Sequence, residues 1–218
     1  MPSFTVENYV KTIYALGTKT EGGVSTNAIA EALGTKPATV SDMLKKLKER
    51  KLIHYKRYQG TTLTADGKQL ALSIIRKHRL WEVFLVEKLN FNWDEVHDMA
   101  EELEHIESDE LINRLEDFLN HPRFDPHGDP IPNRDGQMNR RDQVSLTELE
   151  VGETGVVTGV RDSSKSFLQY LDQLNIELGQ SIKVEDVVDF DQSRHVSTEG
   201  KQHSLSQQVC KNLFVIKE

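Results

Sequence analysis

Cysteine is nearly absent from this sequence: Cys210 is the only one among 218 residues. One cysteine excludes an intrachain disulfide and any Cys-rich zinc site, and it agrees with a reducing compartment. Cys210 itself reads as a buried strand residue. Proline is scarce, and four of the six prolines fall between His121 and Pro132, which leaves the rest of the chain free to form helices. Long apolar runs are missing too, and the N-terminus lacks the basic-then-apolar form of a signal peptide. The expected location is therefore the cytoplasm, with no membrane partner. At 37% hydrophobic and 28% charged residues the chain reads as globular, with one or two domains by length.

The net charge of −8 conceals an asymmetry. Residues 1–79 carry 14 Lys and Arg against 6 Asp and Glu, a balance of +8, and the remainder carries −16. A basic third joined to an acidic remainder points to a nucleic-acid-facing module attached to something else.

The basic third has the pattern such a module needs. Phe4 to Leu16 places Phe4, Val6, Tyr9, Val10, Ile13, Tyr14 and Leu16 on or near one helical face. Ser25 is an N-cap for a short helix that Gly34 closes, and Pro37 suits the first turn of a longer basic helix with Val40, Met43, Leu44 and Leu47 inward. Two strand-like runs, Leu52–Arg57 and Thr61–Leu63, flank a Gln59-Gly60 turn. Helix-turn-helix plus hairpin is a winged helix, which puts its second helix in the DNA major groove and its wing on the phosphates. On the helix the base-facing candidates are Lys36, Ala38, Thr39, Ser41 and Asp42. On the wing the phosphate candidates are Lys56, Arg57 and Thr61.

A different chemistry lies between His78 and His105. Read as a helix, His97, Glu101, Glu104 and His105 fall at i, i+4, i+7 and i+8 and share one face, while His78 and Glu82 repeat the device one segment earlier. Two helices carrying imidazole and carboxylate at this spacing can enclose a divalent Mn, Fe, Zn, Co or Ni ion. The competing reading is a solvated charged face with incidental histidines. Thr64 opens the long helix that runs to Leu89, Asn92–Glu95 starts the metal-face helix, and Ser108 starts a third that ends near Leu119. Their apolar sides suit a helical dimerisation unit, which would present two recognition helices to two half-sites. The proline-rich segment reads as a linker, with His127 in a turn. From Val144 short strands at 156–160, 181–184, 187–190 and 212–216, with one helix at 166–171, suggest a small barrel.

These pieces together resemble the diphtheria-toxin-repressor family of metal-dependent transcriptional regulators. The resemblance rests on Arg76-Lys77-His78-Arg79-Leu80-Trp81-Glu82, on Glu95-Val96-His97-Asp98 through Glu104-His105 with Ser108-Asp109-Glu110, and on His127-Gly128-Asp129-Pro130-Ile131-Pro132. It implies a mainly α chain with a small β domain: a winged helix-turn-helix over 1–63, a helical metal-binding and dimerisation domain over 64–122, a linker over 123–143 and an SH3-like barrel over 144–218. It further implies one metal site at Asn8, Glu101, Glu104 and His105, and a second at His78, Glu82 and His97, with Asp162 as the candidate barrel ligand. Asn8 stands where relatives have Met or Asp, and Lys11 where manganese-type members often have Glu. The hard carboxylate of Glu101 favours Mn(II) over softer ions, so the expected metal is Mn(II) with Fe(II) next, while Zn, Co or Ni can substitute in vitro. The implied function is metal-dependent control of metal-homeostasis genes from a palindromic double-stranded operator, by a homodimer with no small-molecule substrate. Two other readings stand beside it. A binuclear hydrolase would also use His and carboxylates, but the chain shows no nucleophile motif. A metal-independent winged-helix regulator or adaptor would leave the acidic clusters as solvated faces.

Overall fold

The computed structural model describes residues 3–20, 22–56 and 60–218, the side chain of Lys56 excepted. They form two compact units. The first draws on residues 1–78, 101–112 and 132–137. It holds α1 (Phe4–Gly17), α2 (Thr26–Ala32), α3 (Pro37–Glu49), β1 (Ile53–Lys56), β2 (Gly60–Leu63) and the first half of α4 (Ala65–Leu89). The Ser25 hydroxyl accepts from the Ala28 N–H, and Gly34 takes the left-handed conformation that ends α2 at φ +59°. Val6, Val10 and Ile13 of α1 share one core with Ile29 of α2 and with Val40, Leu44 and Leu47 of α3. Any shift of α1 is thus felt by α3.

The wing is an antiparallel pair with Ile53 opposite Leu63, and Thr61 exchanges two backbone hydrogen bonds with Val24 at 2.8 and 2.9 Å. Thr64 then caps α4: its hydroxyl accepts from the Gly67 N–H at 3.1 Å and donates to the Lys51 carbonyl at 2.7 Å. Gly67 has no substitute here, since a Cβ would lie 1.9 Å from the Leu52 carbonyl oxygen.

The second unit draws on residues 79–100, 113–131 and 138–218. It takes the later half of α4, most of α5 (Val96–Leu103) and of α6 (Asp109–Phe118), and a small β domain. That domain comprises β3 (Val144–Ser145), β4 (Thr154–Val160), α7 (Lys165–Leu174), β5 (Ser181–Val187), β6 (Arg194–Thr198), β7 (Lys201–Leu205), α8 (Gln207–Asn212) and β8 (Leu213–Lys217). The strands form one antiparallel sheet in the order β3-β8-β4-β5-β6-β7. Leu168 and Leu171 of α7 pack with Ile182, Val184, Val196, Leu205, Leu213 and Val215 in its core. The mainly α chain with an SH3-like β domain is the fold class expected.

Details differ from the sequence reading. α5 begins at Val96 and ends at Leu103, so Glu104 and His105 lie in the turn after it. The expected strand 187–190 does not extend beyond Val187, and Phe190 is 96% exposed in the following turn. Cys210 is buried, but on α8. Residues 124–130 fold back on themselves through a Phe124–Pro130 bridge and seat Asp125 and His127 inside the unit.

Candidate metal centre and nucleic-acid interface

On α3, Lys36, Ala38, Thr39 and Asp42 are exposed, while Ser41 is half-buried and its hydroxyl donates to the Pro37 carbonyl at 3.0 Å. Thr61 requires a correction. It is 1% exposed, because strand alternation turns it inward beside Val24 and turns Thr62 outward. Thr61 therefore offers no surface to a phosphate. The Lys56 side chain and Arg57 lie outside the described residues.

The first unit brings together a cluster of carboxylates and imidazoles. Glu104, 1% exposed, has its Oε2 2.7 Å from His78 Nδ1 and 2.5 Å from the ammonium of Lys11. The same ammonium lies 3.3 Å from His78 Nδ1 and 3.8 Å from a carboxylate oxygen of the more exposed Glu101. Beside this group His105 Nδ1 sits 2.5 Å from Glu7 Oε2, with the Phe4 ring stacked on the imidazole at 4.6 Å. Burial alone would raise the Glu104 carboxyl; the hydrogen bond from His78 and the charge of Lys11 outweigh it and hold the group below the usual carboxylate range. Asn8, the expected first-helix member, points outward and is exposed, whereas its neighbour Glu7 is buried. A residue step on a helix turns a side chain by about 100°, and α1 spends that turn on facing Glu7 toward His105.

The second unit holds a more deeply buried cluster. Glu82, Asp125 and His127 each offer a ligand atom within 4.8 Å of the others, and all three are buried. His97, about half exposed, reaches the same Glu82 oxygen at 3.6 Å. His127 Nε2 lies 2.8 Å from the Trp93 carbonyl, which leaves Nδ1 3.6 Å from Glu82. Burial lowers the His127 imidazolium, yet Glu82 and Asp125 win and push it up to about 9. Burial and the neighbouring Glu82 charge push Asp125 up to about 7 against the pull of Arg79, whose Nε is 3.3 Å away. The loop that carries these residues is clamped at Gly128, with φ +87° and a Cβ position 2.1 Å from the Thr158 carbonyl oxygen. Asp162, half-buried, accepts from the Ser164 N–H at 2.9 Å and joins no group of three such ligands among the described residues.

Sequence spacing missed Glu7, Asp125 and His127. Glu7 could have been found from its i,i+4 relation to Lys11 on the flank of the Val6-Val10-Ile13 face. Asp125 and His127 come from a proline-rich stretch where no period exists, and only the adjoining Gly128 hinted at a close approach.

Three protein-family models match in succession: the iron-dependent repressor N-terminal DNA-binding domain at residues 2–61, the iron-dependent repressor metal-binding and dimerisation domain at 64–133, and the FeoA domain at 144–217. The iron-dependent repressor IdeR of Mycobacterium leprae is 35% identical over 156 residues, 68% of this chain and 67% of that protein. A solved manganese-dependent transcriptional repressor in complex with manganese is 34% identical, with a TM-score of 0.87 over 98% of this chain and all of the other. The structure of ScaR with bound Cd2+ is 30% identical, with a TM-score of 0.81 over the whole of both chains. The chain belongs to the diphtheria-toxin-repressor family.

As a member of this family of metal-dependent, DNA-binding repressors, the chain carries both clusters within the range of its metal-binding and dimerisation match or, for Glu7 and Lys11, on the helix that opens its DNA-binding match. By type the donors of both clusters fit a divalent transition metal, and of the two the second already brings three of them within 4.8 Å of one another. They are hard carboxylate oxygens and imidazole nitrogens without thiolate, and Glu104, Glu82, Asp125 and His127 are each no more than 6% exposed. Such burial of ionisable groups is costly without a compensating charge. Among the described residues no helix is long and apolar enough to cross a membrane.

Proposed function

We propose that this repressor uses Mn(II) or Fe(II) as corepressor and, as a homodimer in the cytoplasm, binds a palindromic operator of metal-homeostasis genes without catalysing any reaction. The observation that supports it best lies within the first unit: α1 carries Glu7 and Lys11 toward the cluster on one side, and Val6, Val10 and Ile13 into the core of α3 on the other.

Glu7, Glu104 and His105, with Glu101 and His78, would hold the ion of the first cluster. Glu82, Asp125 and His127, with His97, would hold that of the second. When bound, a divalent ion supplies positive charge and directional coordination to oxygen and nitrogen. The residues do the rest. Glu7, Glu101 and Glu104 are only partly compensated by the single ammonium of Lys11, which leaves α1 less firmly held; drawn together, they fix α1 and through its core face the angle of α3. This is a population shift toward the DNA-competent arrangement, with coupling equal to the differential affinity of the two states. Lys36, Ala38, Thr39 and Ser41 at the start of α3 would then meet base edges, with Asp42 at their border.

The reading is tested by fluorescence anisotropy on operator DNA at fixed salt, titrated with Mn(II), with anaerobic Fe(II), or with chelator. Tighter binding with metal is expected, and the ion acting at lower free concentration ranks first of the two candidates. Equal binding with and without metal overturns the reading.

A further inference from the structure

We propose that Lys11 is a built-in cation of the first cluster: its ammonium supplies the positive charge there in the metal-free chain, restricts the cluster to one divalent ion, and raises the metal concentration at which that ion binds. This rests on the metal-binding reading above and adds a determinant to it.

The position of the ammonium carries the argument. It lies 2.5 Å from Glu104 Oε2, 3.3 Å from His78 Nδ1 and 3.8 Å from Glu101 Oε1, so it stands amid three of the donors that an ion would use. Its partner Glu104 is 1% exposed, whereas the Lys11 side chain is 21% exposed. A buried carboxylate needs a compensating charge, and a flexible four-carbon stem at the cluster edge supplies one that can also withdraw toward solvent. The charges agree. With His78 and His105 neutral, as metal-binding imidazoles must be, Glu7, Glu101 and Glu104 contribute three negative charges and Lys11 one positive, which leaves the balance that one divalent ion neutralises. An ion held by Glu104 would have to compete with the ammonium for that carboxylate, so every divalent metal would meet the same electrostatic threshold. Lys11 is then a positioning and set-point residue rather than a ligand.

The test uses the full chain freed of metal, with Mn(II) binding followed by calorimetry and equilibrium dialysis and thermal unfolding recorded by circular dichroism. Against wild type, Lys11→Gln is expected to tighten the Glu104-dependent Mn(II) site about tenfold or more and to lower the Tm of the metal-free chain. Lys11→Arg should keep both near wild type, and Lys11→Glu should take up one additional Mn(II) per chain. Unchanged or weaker Mn(II) binding in Lys11→Gln overturns the proposal. If that variant does not fold, the Lys11→Glu stoichiometry decides, and no added ion overturns it. Glu104→Gln separates the two ideas. If it leaves wild-type Mn(II) binding intact, the metal reading of the cluster fails and takes the proposal with it; if it removes that binding while Lys11→Gln changes nothing, only the role of Lys11 falls.

Discussion

The two carboxylate–imidazole clusters are built from the same chemistry and differ in what they are attached to. The cluster of the first unit joins α1, the middle of α4 and the turn after α5, and a lysine occupies its middle. The cluster of the second unit is drawn from α4, α5 and a loop clamped against β4 at Gly128, and Arg79 flanks it. One tethers a helix of the DNA-binding core; the other fixes a loop. Ligand type alone therefore does not assign regulation. Leverage does.

Glu104→Ala is the sharpest way to break the comparison. Glu104 is the carboxylate that meets both His78 and Lys11, so its removal should weaken metal-dependent DNA binding by about 100-fold or more, with a folded dimer retained by circular dichroism and gel filtration. An unaltered metal response in anisotropy would place regulation elsewhere. His127→Ala should act more weakly and differently. Loss of a buried cluster member lowers metal affinity by roughly 10–100-fold, and this loss should appear at one of two ions in dialysis while the DNA response to the remaining ion persists. If it abolishes DNA binding as fully as Glu104→Ala does, the two clusters are equivalent and the argument from leverage collapses.

Proton linkage separates the clusters without mutation. Glu104 is held below its ordinary 4.5, so its contribution is present above that value and is lost as pH falls through the lowered folded value. Asp125 runs the other way: raised from 3.8 to about 7, it favours the folded chain in acid and loses that advantage as pH rises toward 7. His127, raised from 6.5 to about 9, contributes fully below 6.5 and loses its contribution as pH rises through 9. In chelator, Tm should decline on the alkaline side through the second cluster and on the acid side through the first. Glu104→Ala should flatten only the acid limb, and His127→Ala should weaken the alkaline one; the reverse pairing would refute the assignment.

Much of this was legible in the sequence where a period or a cap exists. Ser25, Gly34, Pro37 and Thr64 mark helix ends by local hydrogen bonding and backbone freedom, and each stands at such an end. The His78, Glu82, His97, Glu101, Glu104 and His105 set was visible because its members recur at helical spacing, although α5 carries only His97 and Glu101 of them and Glu104 and His105 fall in the turn that follows it. Single-residue phase was not: Glu7 and Asn8 are both polar, and which one faces His105 depends on how α1 packs. β6 and β7 escaped because their inward positions are filled by Arg194 and Thr198 as well as Val196 and Leu205, so hydrophobic alternation is too sparse to register. Val188 and Phe190 misled in the opposite sense, being apolar without a strand partner.

The smallest expected effect tests whether the units are energetically separable. Thr64 satisfies a helix N-terminus through the Gly67 N–H and ties α4 to the Lys51 carbonyl, both inside the first unit. Thr64→Ala should cost about 1 kcal/mol, read as a lower denaturation midpoint with an unchanged slope. Metal affinity at Glu82, Asp125 and His127 should stay at its wild-type value, because sites without shared partners behave additively. Weakened binding at that cluster would show that the start of α4 governs its far end, and the contrast between a lever and an anchor would have to be replaced by one continuous element serving both.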